Sequence, residues 1–343
     1  VKGLTIMRFD NPIYDHGFKF PDIAEFPDVA DEPRYNGNNA EEYLAKMRSA
    51  IENKNQEEFS NGYKHFMKKP DSKLFDKLNK MFSFYSGFKN NRKETGLPTN
   101  KIYDELFENG ISYLHIDTDD LNKKLKSDIN QLLNKADWRP PLGTFDRFKQ
   151  MPEHVGYVNN MFNKLGILQA ATKYNKGKPL QVKNVVLHIA KPTDQNYKQF
   201  LYDCETVSKT INTHIDPKED VIKSMIYLNE IGEDDGPFKY VEQSQRWMHD
   251  DLQDLFGRAI TTGSYCHDEE SRASVFQLPK ELRVSHNFGR LLLDGTPEQD
   301  FILDRQTSMT SDKANCCVFD TAGIHQGGVC NTGTRIALQV LMK

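Results

Sequence analysis

Few residues in this chain combine the types and the spacing that chemistry requires. His214 and Asp216 stand two positions apart in Thr213-His214-Ile215-Asp216. His325 lies within Gly323-Ile324-His325-Gln326-Gly327-Gly328, and Arg335 follows ten positions later. On an extended strand, residues i and i+2 face the same side. An imidazole and a carboxylate can therefore converge from one short stretch. Two His and one carboxylate, with open positions opposite, form the ligand set of a mononuclear non-haem iron site. A catalytic metal keeps such positions open, whereas a structural one is saturated by protein ligands. Arg335 adds a planar fork suited to gripping a carboxylate through two hydrogen bonds. The chemistry these residues predict is oxidation at a metal, with a carboxylate-bearing cosubstrate held beside it.

Elements must bring these groups together. Residues 1 to about 38 carry Pro12, Pro21, Pro27 and Pro33 and read as an extended arm. From Ala40 the period turns helical: Tyr43, Leu44, Met47 and Ile51 form a stripe, with Asn38 or Asn39 as the cap. Further helices are predicted over 56–68 and 71–85. Leu106 to Leu114 reads as a helix end, a stop at Gly110 and a short strand. Asp119 to Ala136 is amphipathic, with Asp117 or Thr118 as its cap. Trp138 to Gln150, broken by Pro140-Pro141, reads as loop, and one helix is predicted from Pro152 to about Tyr174.

Beyond Gly177 the runs become strand-like. Strands are predicted over 182–190, 207–214, 221–228, 239–241, 283–293, 314–320 and 334–342, many separated by Gly, Pro, Asp or Asn. The 244–277 segment reads as an insertion with a helix-like stretch at Met248 to Leu255, placed to carry substrate contacts. Helices in front of a strand-rich back half predict an α+β fold, a sandwich or barrel flanked by helices. By strand alternation His188 points into that barrel, where it is either a second contact for the cosubstrate or a satisfied core histidine.

Composition excludes several classes. The formal charge is −4, from 49 acidic and 45 basic residues, and the bases are scattered, so no nucleic-acid partner is expected. No apolar run approaches the ~20 residues of a membrane helix. The five cysteines (Cys204, Cys266, Cys316, Cys317 and Cys330) show no CxxC, which suits a reducing, cytoplasmic setting and an Fe(II) site. Cys316-Cys317 sits in an apolar run and is expected to pack in the core.

Residues from about Tyr103 to Lys343 resemble the phytanoyl-CoA dioxygenase-like family of Fe(II)/2-oxoglutarate oxygenases. Three blocks carry the resemblance. The first is Glu105 to Leu114, similar to that family's opening helix-to-strand unit. The second runs from His214-Ile215-Asp216 through Ile226-Tyr227-Leu228-Asn229-Glu230 to Asp235-Gly236-Pro237-Phe238-Lys239-Tyr240-Val241. The third runs from Phe319-Asp320 through His325-Gln326-Gly327-Gly328 to Asn331-Thr332-Gly333-Thr334-Arg335. There are departures: the family's Pro-Gly-Ser-His turn appears as Glu242-Gln243-Ser244-Gln245, and Gly327 stands where a polar residue is usual.

The resemblance implies a double-stranded β-helix, a cupin-like jelly-roll core over about 180–343 within a domain of 101–343. Residues 1–100 would then be an arm and an N-terminal helical extension. It implies that His214, Asp216 and His325 bind Fe(II), and that Arg335 binds the distal carboxylate of 2-oxoglutarate. O₂ would be consumed, with 2-oxoglutarate going to succinate and CO₂ and hydrogen abstracted from a small-molecule substrate. A carboxylate at Asp216 favours hydroxylation or desaturation over halogenation, since halogenases of this class lack it. Two other readings stand beside this one: a catalytically silent barrel that binds a ligand or partner, and a cupin-type metalloenzyme that does not use 2-oxoglutarate. Arg335 discriminates between the last and the oxygenase.

Overall fold

The computed structural model describes residues 39–66, 72–88, 96–134, 144–175, 178–192, 216, 222–246, 252, 255–256, 259, 278–279, 282 and 303–343. The predicted arm over 1–38, the strands over 207–214 and 283–293, most of the 244–277 insertion and His214 itself lie outside these residues. The chain divides into two compact units. One comprises Val1–Asn91, His214–Lys218 and Arg246–Asp304; the other comprises Arg92–Thr213, Glu219–Gln245 and Arg305–Lys343.

In the first unit the predicted helices form as α1 (Ala40–Asn53), α2 (Gln56–Phe66) and α3 (Ser72–Phe88). Leu44, Met47, Ala50 and Ile51 of α1 are buried, as are Phe59, Tyr63 and Phe66 of α2. A Cβ at Gly62 would lie 2.3 Å from Met47 Cγ, so glycine permits the close approach of α1 and α2. Phe59 packs on Phe82 at 4.8 Å between ring centroids. Asn39 takes the N-cap position of α1 but its side chain makes no capping bond. The side-chain cap falls on α2 instead, where Asn55 Oδ1 accepts from Glu58 N at 3.1 Å.

The second unit opens with α4 (Lys101–Asn109), capped by Asn100 and ended by Gly110 at φ 77°. Strand β1 (Ile111–Leu114) follows the predicted stop. Helix α5 (Asp119–Leu133) starts where Asp117 Oδ1 accepts from Asp119 N at 2.9 Å, while Thr118 makes no capping bond.

Two expectations fail over the next fifty residues. Thr144–Gln150, read as loop, is strand β2. The helix predicted from 152 to 174 is a 3₁₀ turn (Pro152–His154) followed by two helices, α6 (Val155–Lys164) and α7 (Ile167–Tyr174). The break is Gly166, whose φ of 73° ends α6. Its carbonyl accepts from Asn100 Nδ2 at 3.2 Å, which ties the break to the start of α4.

The remaining strands are β3 (Val182–Pro192), β4 (Ile222–Tyr227), β5 (Phe238–Val241), β6 (Gln306–Met309), β7 (Cys316–Asp320), β8 (His325–Gly327) and β9 (Arg335–Met342). They form two antiparallel sheets, ordered β1-β7-β4-β9-β3-β2 and β6-β5-β8. Helices plus antiparallel sheets make this an α+β fold. Alternation assigns the two faces of the larger sheet. Val185, Leu187 and Ile189 of β3 and Leu338, Val340 and Met342 of β9 pack with Leu121, Leu125, Val158 and Phe162 of the helices. On the opposite face Met225, Tyr227, Cys317, Phe319 and Ala337 pack with Phe238 and Tyr240 of the smaller sheet. Fully burying each such side chain contributes ~1.5–3 kcal/mol. Cys316 and Cys317 are core residues, as predicted; burial holds the Cys316 thiol up at about 12 and Cys317 well above the ordinary range.

Candidate functional site

His325 is delivered by the turn that follows β7. Asp320 ends that strand, and its carboxylate locks the turn: Oδ1 accepts from Ala322 N at 2.8 Å and Oδ2 from Tyr174 Oη at 2.6 Å. Gly323 N closes the turn onto Asp320 O at 3.1 Å. Tyr240 Oη donates to the same carbonyl at 3.0 Å. The phenol lies so close to Gly323 that a Cβ there would meet it at 1.8 Å. Ser244, buried, fixes the residue before the histidine: Ile324 N donates to Ser244 Oγ at 2.7 Å, and Ser244 Oγ donates to Val241 O at 2.5 Å.

His325 itself is 4% exposed. Its Nδ1 stands 2.7 Å from Gly323 O. A carbonyl can only accept, so Nδ1 carries a proton, and in the neutral ring the lone pair lies on Nε2. An imidazole so anchored through one nitrogen is oriented to ligate through the other. Phe319, Phe238 and Tyr240 wall the ring, at centroid distances of 5.1, 5.9 and 6.4 Å.

Arg335 opens β9 and is 4% exposed. Its Nη1 donates to Gly236 O, and to Gly328 O at 3.2 Å. These carbonyls come from two loops in direct backbone contact. Gly236 sits at φ 71°, and a Cβ there would lie 2.6 Å from Gly328 O. Gly328 N donates to Pro237 O at 2.9 Å, and Asn331 N and Thr332 N both donate to Asp234 O, at 2.7 and 3.0 Å. Nη1 is thus spoken for by neutral acceptors. Nε is buried and has no hydrogen-bond partner among the described residues. A buried cationic donor left in that state is costly. A planar carboxylate answers it with two charge-assisted bonds. The donor chemistry of Arg335 therefore fits an oxoacid, as that of His325 fits a metal.

His188 lies mid-strand in β3, opposite Ala337 of β9 and Phe148 of β2. Its ring stacks on Phe148 at 4.2 Å, and it is 7% exposed while Phe148 is 53% exposed. Arg335 is two residues before Ala337, so alternation puts Arg335 and His188 on one face of the larger sheet. His325, Arg335 and His188 all belong to the second unit. Asp216 is half-buried and belongs to the first unit, and His214 lies outside the described residues.

The two positions at which the sequence departs from the resembled pattern are both described. Gln243 takes a left-handed conformation at φ 67°. Gly327 is paired to Phe238 within the β5–β8 ladder. Sequence reasoning assigned no role to Asp320, Tyr240, Ser244 or the carbonyls of Gly236 and Gly328. The Asp-Gly-Pro turn at 235–237 was the one available signal. Among the described residues one set of three ligand-type side chains is gathered, Asp128, Glu153 and His154, with ligand atoms within 4.8 Å. Lys149 Nζ already pairs with Asp128 there at 2.5 Å.

No protein-family model matches the sequence, and no curated protein matches it. Several solved structures are similar to it. The epimerase SnoN in complex with Fe3+, alpha ketoglutarate and nogalamycin RO shares 13% identity at a TM-score of 0.43, over 71% of this chain and 82% of that one. HygX from Streptomyces hygroscopicus with nickel and 2-oxoglutarate bound shares 12% at a TM-score of 0.38, over 71% and 86%. A Pseudomonas putida prolyl-4-hydroxylase shares 14% at a TM-score of 0.36, over 71% and 96%. At these values the likeness assigns no role to any residue of this chain.

Proposed function

We propose that the chain is an Fe(II)/2-oxoglutarate-dependent oxygenase that hydroxylates a small molecule, on a double-stranded β-helix core. In this reading His214, Asp216 and His325 hold the iron, Arg335 takes the distal carboxylate of 2-oxoglutarate, and His188 is a second contact to that cosubstrate. Bound there, Fe(II) and 2-oxoglutarate supply the reduction of O₂, coupled to decarboxylation of the oxoacid to succinate. The protein's own contribution is aim. Gly323 O fixes which nitrogen of His325 would ligate. Gly236 O and Gly328 O fix the plane of the Arg335 guanidinium. The aromatic wall of Phe238, Tyr240 and Phe319 keeps water from the His325 ring.

The observation that carries the reading is Arg335: a sealed guanidinium whose Nε has no partner among the described residues. The setting proposed is the cytoplasm, where Cys316, Cys317 and Cys330, which form no disulfide, stay reduced. No helix among the described residues is long and apolar enough to cross a membrane.

The test begins with protein stripped of metal, because Zn²⁺, Ni²⁺ and Cu²⁺ outcompete Fe²⁺ at such sites. Reconstituted with Fe(II) and ascorbate, it converts 2-oxoglutarate to succinate in slow uncoupled turnover. Asp216→Ala abolishes this turnover, and Arg335→Ala mainly raises the 2-oxoglutarate requirement. No succinate, together with no visible absorption band from anaerobic Fe(II) and 2-oxoglutarate, overturns the proposal. Equal and complete loss of iron in both variants overturns the role given to Arg335.

A further inference from the structure

We infer that Asn229 is a positioning residue for Arg335, its carboxamide serving as the missing last rung of the β4–β9 ladder; the inference rests on the cosubstrate reading of Arg335. The ladder pairs Tyr227 with Ala337. One step further Leu228 N donates to Ile336 O at 2.9 Å, and there β4 has ended. The backbone groups on either side of Arg335 would then have no strand to pair with. Asn229 replaces it: Oδ1 accepts from Ile336 N at 2.8 Å, and Nδ2 donates to Thr334 O at 2.7 Å. Nδ2 also donates to Glu230 O at 3.0 Å, which ties the carboxamide to its own loop.

The side chain therefore grips the residue before Arg335 and the residue after it. Arg335 itself is paired across to Ala190 of β3. Held from both neighbouring strands, the first residue of β9 has its Cα fixed, and the long side chain is aimed from a rigid base. A carboxamide is the side chain with one acceptor and one donor group in peptide-like geometry. Aspartate keeps the acceptor but sets a second oxygen against Thr334 O and Glu230 O. Alanine keeps neither.

A matched control exists in the same unit. Asn315 makes the same kind of clamp, with Nδ2 donating to Ile116 O and Oδ1 accepting from Ile116 N, both at 2.8 Å, but on the β1–β7 side of the sheet. The experiment is calorimetric titration of 2-oxoglutarate into the full chain loaded with Mn(II), which binds without turnover, alongside Mn(II) titration and thermal melts. Wild type, Asn229→Ala, Asn229→Asp, Asn315→Ala and Arg335→Ala are compared.

Both Asn→Ala variants are expected to lose thermal stability to a similar extent. The Kd for 2-oxoglutarate should rise about tenfold in Asn229→Ala, equivalent to about 1.4 kcal/mol, and in the same direction in Asn229→Asp. It should stay within twofold of wild type in Asn315→Ala, and Mn(II) affinity should hold in all of these variants. An unchanged Kd in Asn229→Ala, or in Asn229→Asp where the alanine variant does not fold, overturns the inference and leaves Asn229 a stability residue. Failure of the underlying reading shows separately: wild type then binds no 2-oxoglutarate, or binds it as well as Arg335→Ala does.

Discussion

Replacing Gly323 by alanine tests whether the turn before β8 aims His325. The added Cβ would stand 1.8 Å from Tyr240 Oη, 2.3 Å from Cζ and 2.9 Å from Cε2. Tyr240 cannot simply rotate away, because it is fully buried, packed on Phe319 and Phe238, and bonded to Asp320 O. Either the phenol or the turn must move. Overpacking of this kind costs ~1–3 kcal/mol, and loss of the Tyr240 hydrogen bond adds ~1 kcal/mol. For a domain of roughly 200 residues the sum lowers Tm by about 5–15 °C. Movement of the turn also moves Gly323 O, the acceptor of His325 Nδ1–H. Loss of such a partner typically weakens metal binding ~10–100-fold.

The assay pairs thermal melts with metal titration of Gly323→Ala, Tyr240→Phe, the double variant and Gly156→Ala. Gly156 lies in α6 with nothing within 4 Å of an added Cβ, so its variant should be neutral or slightly stabilising. Removing the Tyr240 hydroxyl relieves the shortest clash and leaves the ring carbons, so the double variant should be less destabilised than the two single losses added together. Wild-type metal affinity in Gly323→Ala despite a lowered Tm would refute the claim that this carbonyl orients the histidine. An unchanged Tm would refute the close approach itself.

Gly236→Ala should be damaging for a different reason. Its Cβ meets backbone, 2.6 Å from Gly328 O and 2.8 Å from Cys330 N, at a φ of 71°, so no side-chain rotation relieves it. Expected are ~2 kcal/mol or more of lost stability by denaturant unfolding and a weakened 2-oxoglutarate titration; wild-type values in both would sink the two-loop clamp on Arg335. The fold should also fail in alkali. Burial raises the folded-state pKa of Tyr227 and Tyr240, as it does those of Cys316 and Cys317. With folded values above unfolded ones, the folded state holds more protons, so the stabilisation is complete below the unfolded values and is lost as pH rises through the folded ones. Phenolate absorbance should therefore lag for these tyrosines and appear with the loss of far-ultraviolet circular dichroism above about pH 10. Ionisation of Tyr227 and Tyr240 in a still-folded chain, read from Tyr→Phe differences, would contradict this.

What could be read from the residues divides along a physical line. Signals that depend on side-chain type were legible. The apolar stripes of α1 and α5 gave helices, the runs of β3, β4, β7 and β9 gave strands, and Gly110 gave a stop. Short strands were only partly legible: β1 and β5, of four residues each, were predicted, whereas β6, also of four, and β8, of three, were not. β2 follows a Pro-Pro break and carries Asp146, Arg147, Lys149 and Gln150, which reads as loop until a neighbour pairs with it. Gly166 was lost inside an otherwise helical pattern because one glycine is tolerated there; what makes it a break is Asn100, 66 positions away in sequence.

The same line runs through the candidate site. His325 and Arg335 announce themselves, since few residue types ligate metals or grip carboxylates. The atoms that aim them are mostly backbone oxygens: Gly323 O for the imidazole, Gly236 O and Gly328 O for the guanidinium. Every residue owns a carbonyl, so nothing in the sequence marks these. What the sequence does mark is the permission for them to be there, as glycine at three places where a Cβ would collide with Tyr240 or with the opposing loop. Asn229 is the intermediate case, a side chain doing a backbone's task across 107 positions. Its type is informative only once β4 is known to end one residue too early. Spacing therefore identifies the reagents of such a site, and chain-to-chain proximity identifies what makes them act in a fixed direction.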